Sequence, residues 1–476
     1  MTYVGAVPTT GDFKLLDSIT TSSSTTFNLR QSGVAVFPQS SSHVLCVLNG
    51  ILQTSGSSFN IVNDTIVFAE ALTSSDVINQ ILVLGNVNDI GVPSDDTVST
   101  AKLQANAVTS AKIASGVIPS TRPNVNPLMI NGDMAVAQRG TSFTSVSSGS
   151  NFPVDRFEFY PNSLGTYTII QEALTSGEAY NNGFRTALRI DTTTADASPS
   201  STDYAILRTK FEGQDLQMIK KGTANAEKLT LAFWVKSNKT TTGQVNLFDI
   251  DNNRLVSGTY TISSANTWEK KVINFSADTT GAFDNNNALS LIVEFFLDGG
   301  SNFTSGTAPT SWEAQSNADR NANNFAIGSS TDNDFAITGV QLEVGEYTSS
   351  TLPPFQHESY GDNLSRCQRY YYQVTGTGKG RFANGNFFTQ AIGDVIVPFP
   401  CKMRAAYSLS TSATSDIMIT SVTAEADCTA ISLDTSLSLD AADVRFTVGS
   451  NIATVGHVST MILKDSSSYL AFDTEL

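Results

Sequence analysis

Only three histidines stand in the 476 residues, His43, His357 and His457, far apart and without HxH, HxxxH or HExxH spacing, so no local zinc motif is encoded. The four cysteines, Cys46, Cys367, Cys401 and Cys428, form no CxxC pair and no regular framework. That argues against a disulfide scaffold and for small buried thiols in a reducing compartment. Basic residues are scarce: 28 Lys and Arg against 44 Asp and Glu leave a net charge of −16. Without a basic stripe to displace counterions from phosphates, nucleic acid is not an expected partner. The same charge disfavours simple adsorption to an anionic membrane, while a local patch or bridging cations leave contact with a charged glycan open. Long apolar runs are missing as well. Val44–Leu48 and Leu291–Leu297, the latter broken by Glu294, fall far short of the ~20 residues that span a bilayer. Met1-Thr2-Tyr3-Val4-Gly5 has no basic region ahead of an apolar core, so no secretory signal is expected. The expected product is a soluble chain made in a cytoplasm and not embedded in a membrane.

Catalytic patterns are equally sparse. No GxSxG elbow occurs, and serine is too abundant for one nucleophile to stand out. Gly376-Thr377-Gly378-Lys379-Gly380 lacks the spacing of a phosphate loop and carries Gly380 where a hydroxyl residue should follow Lys379, so it reads as a turn. Asp249-Ile250-Asp251-Asn252-Asn253 opens like a calcium loop, but Arg254 stands where glycine is needed and Tyr260 where glutamate is needed. An EF-hand type site is therefore excluded. Calcium held by this loop or by Asp332-Asn333-Asp334 remains one reading, and an Asx turn is the commoner one. Glycosidases need two carboxylates across a sugar cleft; Asp249, Asp251, Glu294 and Asp298 are available, but nothing in the sequence pairs them. The expectation is a non-enzymatic protein with no cofactor and no metal.

What the chain does contain is β-structure in several blocks. Hydrophobic residues at 40% suffice for packed interiors, charged residues at 15% fall well below the usual quarter, and Ser, Thr, Asn and Gly fill the gap, as in strands joined by tight turns. A chain this long exceeds a single core. Residues 1–91 alternate short strands with polar turns, including Val44–Leu48, an Asn49-Gly50 hairpin signal and Ile51-Leu52-Gln53, and read as an N-terminal β-sandwich. Residues 92–123 place Val98, Leu103, Val108, Ile113 and Ile118 at every fifth position, a period that fits neither a helix face nor a pleated strand. Copies packed about a shared axis would bury such a row, so an oligomeric stem is expected; a Ser/Thr/Ala linker with incidental aliphatics is the alternative. Residues 124–365 carry eight short strand-like runs suited to a jelly-roll β-sandwich, with Phe233–Val235 and Ile292–Phe296 lining its core. Residues 366–476 read as a C-terminal β-sandwich knob.

The order Val47-Leu48-Asn49-Gly50-Ile51-Leu52-Gln53, Phe59-Asn60-Ile61 and Ile66-Val67-Phe68 resembles a module near the start of many phage tail fibres. A longer set of phrases follows: Asn126-Pro127-Leu128-Met129-Ile130-Asn131-Gly132-Asp133-Met134, Gln138-Arg139-Gly140, Asp155-Arg156-Phe157, Lys228–Ser237, Asn266–Lys270, Ile337–Gly345 and Cys367-Gln368-Arg369-Tyr370-Tyr371-Tyr372. In that order they resemble the distal region of tailed-bacteriophage tail fibre proteins, which are similar in turn to jelly-roll carbohydrate-binding modules. Phe157 stands where many relatives have Trp, and its buried role is expected to survive. Pro398-Phe399-Pro400-Cys401-Lys402-Met403-Arg404 is similar to a run that introduces the tip in related fibres. The resemblance implies a homotrimeric virion component assembled in the host cytoplasm. Its first domain would attach to tail, adaptor or nozzle proteins, and its distal domains to a bacterial surface glycan or protein. An enzymatic tailspike that depolymerises polysaccharide and a purely structural tail connector are the alternatives.

For ligand contact, sugar recognition favours aromatic rings beside amides and carboxylates. Trp312, in the polar loop Ala308–Glu313, is a candidate stacking platform, with packing against the sandwich edge as the other fate. Trp234 and Trp268 sit in strand contexts and read as core. Tyr370, Tyr371 and Tyr372 cannot all point inward from one extended strand, so at least one is expected at the surface or at a subunit seam. Tyr371 is the residue singled out for ligand contact.

Overall fold

The structure, a computed structural model, describes residues 13–84, 126–434 and 438–476. The chain divides into two units, residues 1–114 and 115–476. The five-residue row Val98, Leu103, Val108, Ile113 and Ile118 lies outside the described residues.

In the first unit two small antiparallel sheets share one core. Lys14–Leu15, Ile78–Val83, Val44–Leu48 and Ile51–Leu52 are neighbours in that order in one sheet, and Ser24–Asn28, Thr65–Leu72 and Phe59–Val62 form the other. Asn49 and Gly50, at φ 51° and 78°, make the tight hairpin that the Asn-Gly pair announces, because both central positions need positive φ. Alternation sends Val44, Cys46, Ile81 and Val83 into the core with Phe27, Phe59 and Phe68. The opposite face is apolar too. Leu15, Leu82 and Leu45 are register partners across three strands, and Leu15 and Leu45 stay 58% and 38% exposed.

The second unit opens with the jelly roll. One sheet runs Glu269–Phe275, Leu229–Lys236, Asp334–Val344, Thr186–Thr194 and the later half of the long strand Phe157–Ala173. The other runs from the earlier half of that strand through Tyr204–Glu212, Leu289–Gly299, Thr242–Asp249 and Arg254–Thr261. One strand serves both sheets because its partners change between Asn162 and Thr166. Between the sheets lies an apolar core that includes Phe157, Phe159, Phe233, Val235, Phe295 and Phe335, with Phe233 and Phe295 edge to face at 4.9 Å. Phe157 is fully buried, so phenylalanine fills the aromatic position after Asp155-Arg156. Trp268 is buried in a separate small cluster with Leu174 and Phe184, and Trp234 packs on that cluster half-buried rather than in the main core.

The terminal region is β-rich, as expected, but most of it closes on itself. Gly380–Phe387, Ile392–Pro398, Ala441–Val448, Glu425–Leu433, Ile417–Thr420 and Val458–Leu463 form a closed six-stranded barrel. A three-stranded sheet of Tyr371–Thr375, Tyr469–Asp473 and Ser408–Thr411 shares its core. The expectation of two packed sheets is corrected for this part. Val458–Leu463 pairs with both Gly380–Phe387 and Ile417–Thr420, which abolishes the free edges a sandwich would keep. A helix, Tyr360–Gln368, precedes the barrel; the Ser359 hydroxyl accepts from the Asp362 amide at its start. No helix among the described residues is long and apolar enough to cross a membrane.

Candidate functional site

The phrases that stand out in the sequence meet at one joint, where the helix and three-stranded sheet of the terminal region press on the jelly roll. Asn131 donates to the carbonyls of Val136 and Asp155, and Asn363 of the helix donates to Asn131 and Asp133. Gly132 lies so close to the strand Asp334–Val344 that a Cβ there would sit 2.1 Å from the Val340 carbonyl. Gln138 donates to Asp155 and to the Tyr371 carbonyl. Arg156, buried, lies 3.4 Å from the centre of the Tyr370 ring and pairs with Glu475. Tyr370 and Arg369 both donate to the buried Glu212 carboxylate, at 2.6 Å and 2.8 Å. Burial pushes Glu212 toward its neutral form, but the hydrogen bonds of Arg369 and Tyr370 prevail and hold its carboxyl below the usual range. These residues are occupied in holding two folds together. Apart from Nη1 of Arg369, which makes none of these bonds, they are not presented to a ligand.

This placement corrects the reading of the tyrosine trio. Tyr370 lies in the turn after the helix and Tyr371 begins the strand, so both are buried, at 1% and 6% exposure, without breaking strand alternation. The Tyr371 hydroxyl donates to Gln373, and the Arg139 guanidinium covers its ring at 3.5 Å. No ring face is left for a sugar to stack on. Tyr372 is half-buried between Phe399 and Phe472. The seam they line lies within one chain. Trp312 is half-buried against the jelly-roll core, and its indole N–H donates to the Ser276 carbonyl at 2.8 Å. It takes the edge-packing fate.

The outer face of the second jelly-roll sheet carries a polar row in register across five strands: Glu158, Arg208, Glu294, Asn246 and Ser257. Such a row would suit sugar hydroxyls, but the segment 300–325 satisfies much of it. Arg320 grips Glu294 with two donors at 3.0 Å and 2.5 Å, Asn246 donates to Glu294 and to the Arg320 carbonyl, and Gln244 donates to the Asp319 carbonyl. Asp298 accepts from Asn324 and from the amides of Gly299 and Gly328. Asp249 and Asp278 face Lys221, whose ammonium lies 2.5 Å and 3.0 Å from their carboxylates and donates to the carbonyls of Thr280 and Gly281. An internal cation thus occupies the Asp249 loop, where Asn252 also closes an Asx-type turn on Asp249. Asp251 accepts from the Asp284 amide. Asp249, Asp251, Glu294 and Asp298 form no open pair across a cleft.

Glu158, at the end of the polar row, gives a pH signature. Burial favours its neutral form, but hydrogen bonds from Arg208 and Ser150 and the charge of Lys210 outweigh this and bring its carboxyl down to about 2. Its folded value lies below the ordinary 4.5, so its stabilising contribution is present above that pH and is lost as pH falls through the window toward 2. Glu158→Gln is expected to flatten the acid limb of thermal midpoint against pH over that window. An unchanged slope would show that Glu158 does not carry it.

One exposed apolar surface among the described residues lies at the end of the barrel away from the joint. Residues 388–391, 421–424 and 449–457 connect strand pairs there and are tied to one another. The Ile452 amide donates to the Gln390 carbonyl at 3.0 Å, and the hydroxyls of Ser421 and Thr423 both donate to the Ile452 carbonyl. On this braced platform Phe388, Val422 and Val455 are 43%, 75% and 65% exposed, among Thr389, Gln390 and Asn451. Large exposed apolar side chains on mutually fixed hairpin loops are the composition of a contact surface. Sequence reading missed them; an apolar residue inside an otherwise polar hairpin loop is the signal it had. On the barrel wall Asp394, Asp434 and Asp443 bring carboxylate oxygens within 4.8 Å of one another, and Arg445 pairs with Asp434.

No protein-family profile matches the chain, and no curated protein matches it. Among solved structures, it is similar to the CBM22-1–CBM22-2 tandem domain of Xyn10C from Paenibacillus barcinonensis, at 7% identity over 75% of this chain and 98% of that one, TM-score 0.24. It is also similar to TmCBM61 in complex with β-1,4-galactotriose, at 8% identity over 46% and 99%, TM-score 0.22. A third is the enzymatically active domain of tailspike protein 4 of bacteriophage CBA120, at 15% identity over 42% of this chain and 21% of that one, TM-score 0.22.

Proposed function

We propose that the chain is a bacteriophage tail fibre subunit. In this reading it is a homotrimer, part of the virion and assembled in the host cytoplasm. It attaches through its first unit to tail, adaptor or nozzle proteins and adsorbs to a bacterial surface glycan or protein through its distal β-domains. The observation that carries the reading is the use made of the fibre-like phrases: they build a rigid joint that holds a barrel whose far loops expose Phe388, Val422 and Val455. The apolar row Leu15, Leu82 and Leu45 on the first unit and the five-residue period at 98–118 support self-association. Three linked weak sites would gain avidity of roughly 10²–10⁴ where geometry lets them engage together.

Retention of the purified chain on a panel of bacterial strains tests adhesion. A variant carrying Val422→Asp and Val455→Asp is expected to lose about tenfold or more in retention, at an unchanged thermal midpoint, since both side chains are solvent-facing, whereas Phe388 lies under Arg445 at 5.4 Å and is left in place. Retention by no strain, or equal retention by the variant, would refute the loop assignment. Mass photometry is expected to report a trimer, and a monomer would remove the assembly claim. Incubation with host polysaccharide separates the alternatives: reducing-end release favours a depolymerase, and neither binding nor release favours a connector.

A further inference from the structure

Beside the joint a cleft of about 650 Å³ opens between residues 126–130, the short helical turn Gly213–Ile219 and the helix Tyr360–Gln368. Its size falls within the usual range for small-molecule sites, roughly 300–1,000 Å³. Leu128, Ile130 and Met218 supply apolar wall. Arg366 and Arg369 reach in from the helix and its end, each already fixed: Arg366 donates to Glu358 and the Pro127 carbonyl, and Arg369 to both oxygens of Glu212. Nη1 of Arg369 is free of these bonds and keeps its two N–H donors. Asp215, on the helical turn, lines the same cleft and is engaged by no hydrogen bond or ion pair among the described residues.

We infer that this cleft binds a neutral saccharide unit. A fixed guanidinium and a free carboxylate are the donor and acceptor that chelate vicinal hydroxyls, and the apolar wall suits the C–H face of a sugar ring. Charge selects the class. Arg366 is paired with Glu358 and Arg369 with Glu212, so Asp215 is the carboxylate lining the cleft that has no ion-pair partner among the described residues. An acidic sugar would place its carboxylate against Asp215 and is disfavoured. The inference takes from the adhesion reading only the expectation that the ligand is a surface saccharide.

The test is saturation-transfer NMR and calorimetry on the full chain with D-galactose, D-glucose, N-acetyl-D-glucosamine and, as the charged control, D-glucuronate. At least one neutral sugar is expected to saturate, with glucuronate about tenfold weaker or more. Asp215→Asn, at an exposed position, is expected to weaken the neutral sugar by about tenfold or more at an unchanged thermal midpoint, and Met218→Trp, at a half-buried position packed on the core, is expected to weaken it likewise. Saturation by no neutral sugar, equal binding of glucuronate, or unaltered affinity in both variants would overturn the inference. Retention on cells by the wild-type chain, measured in parallel, separates the outcomes. Cell binding that survives both cleft variants leaves adhesion standing and removes the cleft, whereas sugar binding without cell retention does the reverse.

Discussion

Arg156→Met is expected to cost up to about 3–5 kcal/mol, because it strips Glu475 of its closest partner in low-dielectric surroundings, with Arg139, at 3.4 Å, remaining to offset part of the loss. In thermal unfolding this corresponds to a fall in midpoint on the order of 10 °C. The guanidinium has three tasks at once. It pairs with Glu475, donates to the Lys210 carbonyl at 2.6 Å and stacks on Tyr370. Lysine offers no planar fork, so Arg156→Lys is expected to recover only part of the loss. The double variant Arg156→Met, Glu475→Leu removes the under-compensated charge and leaves Arg139 with Asp155 and Asp473, so it is expected to be more stable than the single variant, since apolar replacement of a buried pair is often near neutral. Equal losses in single and double variants would show that Arg139 compensates Glu475 fully. Limited proteolysis supplies the second readout: weakening the joint is expected to expose the connection at 345–359 while the barrel itself stays resistant.

The second large effect is expected at Lys221. Its ammonium is 2% exposed and faces two carboxylates and two carbonyls, so Lys221→Met leaves Asp249 buried with no cation beside it, at a similar cost of about 3–5 kcal/mol. Arg254 continues to neutralise Asp278, at 2.7 Å, which limits the loss to the Asp249 side. A truncation that leaves room separates charge from packing. In Lys221→Ala the same oxygens surround an opening, and millimolar calcium is expected to raise the variant's midpoint, since oxygens at these distances need only a small contraction to reach calcium–oxygen lengths. The wild-type midpoint is expected to be indifferent to both calcium and chelator. A chelator-sensitive wild type would mean that an ion, and not Lys221, holds the loop.

Much of the architecture was legible along the chain because its signals are local. Short apolar and β-branched runs between polar turns marked Val44–Leu48 and Leu229–Lys236 as strands, the Asn49-Gly50 pair marked a hairpin, and the resemblance marked the aromatic after Asp155-Arg156 as a core position. Elements with few large apolar residues escaped. Glu425–Leu433 alternates small residues with polar ones, and Tyr360–Gln368 is a polar helix whose start rests on a single serine cap. The ligand-contact readings fared least well. Trp312 and Tyr371 stood out by residue type, yet one hydrogen bonds back to its own sandwich and the other lies under Arg139.

The reason is separation along the chain. A strand's tendency to form depends on its own few residues, whereas a side chain's employment depends on what the register brings opposite, and a one-residue slip sends every side chain to the other face. Composition and pattern sufficed to establish a β-built chain in several blocks, without a local zinc or GxSxG motif. That Lys221 takes the place of a cation, that Arg320 caps Glu294, and that Asp155 and Arg156 clamp a barrel instead of a ligand arose from folding. Sheet pairing and loop closure bring together charges that desolvation forbids to remain single.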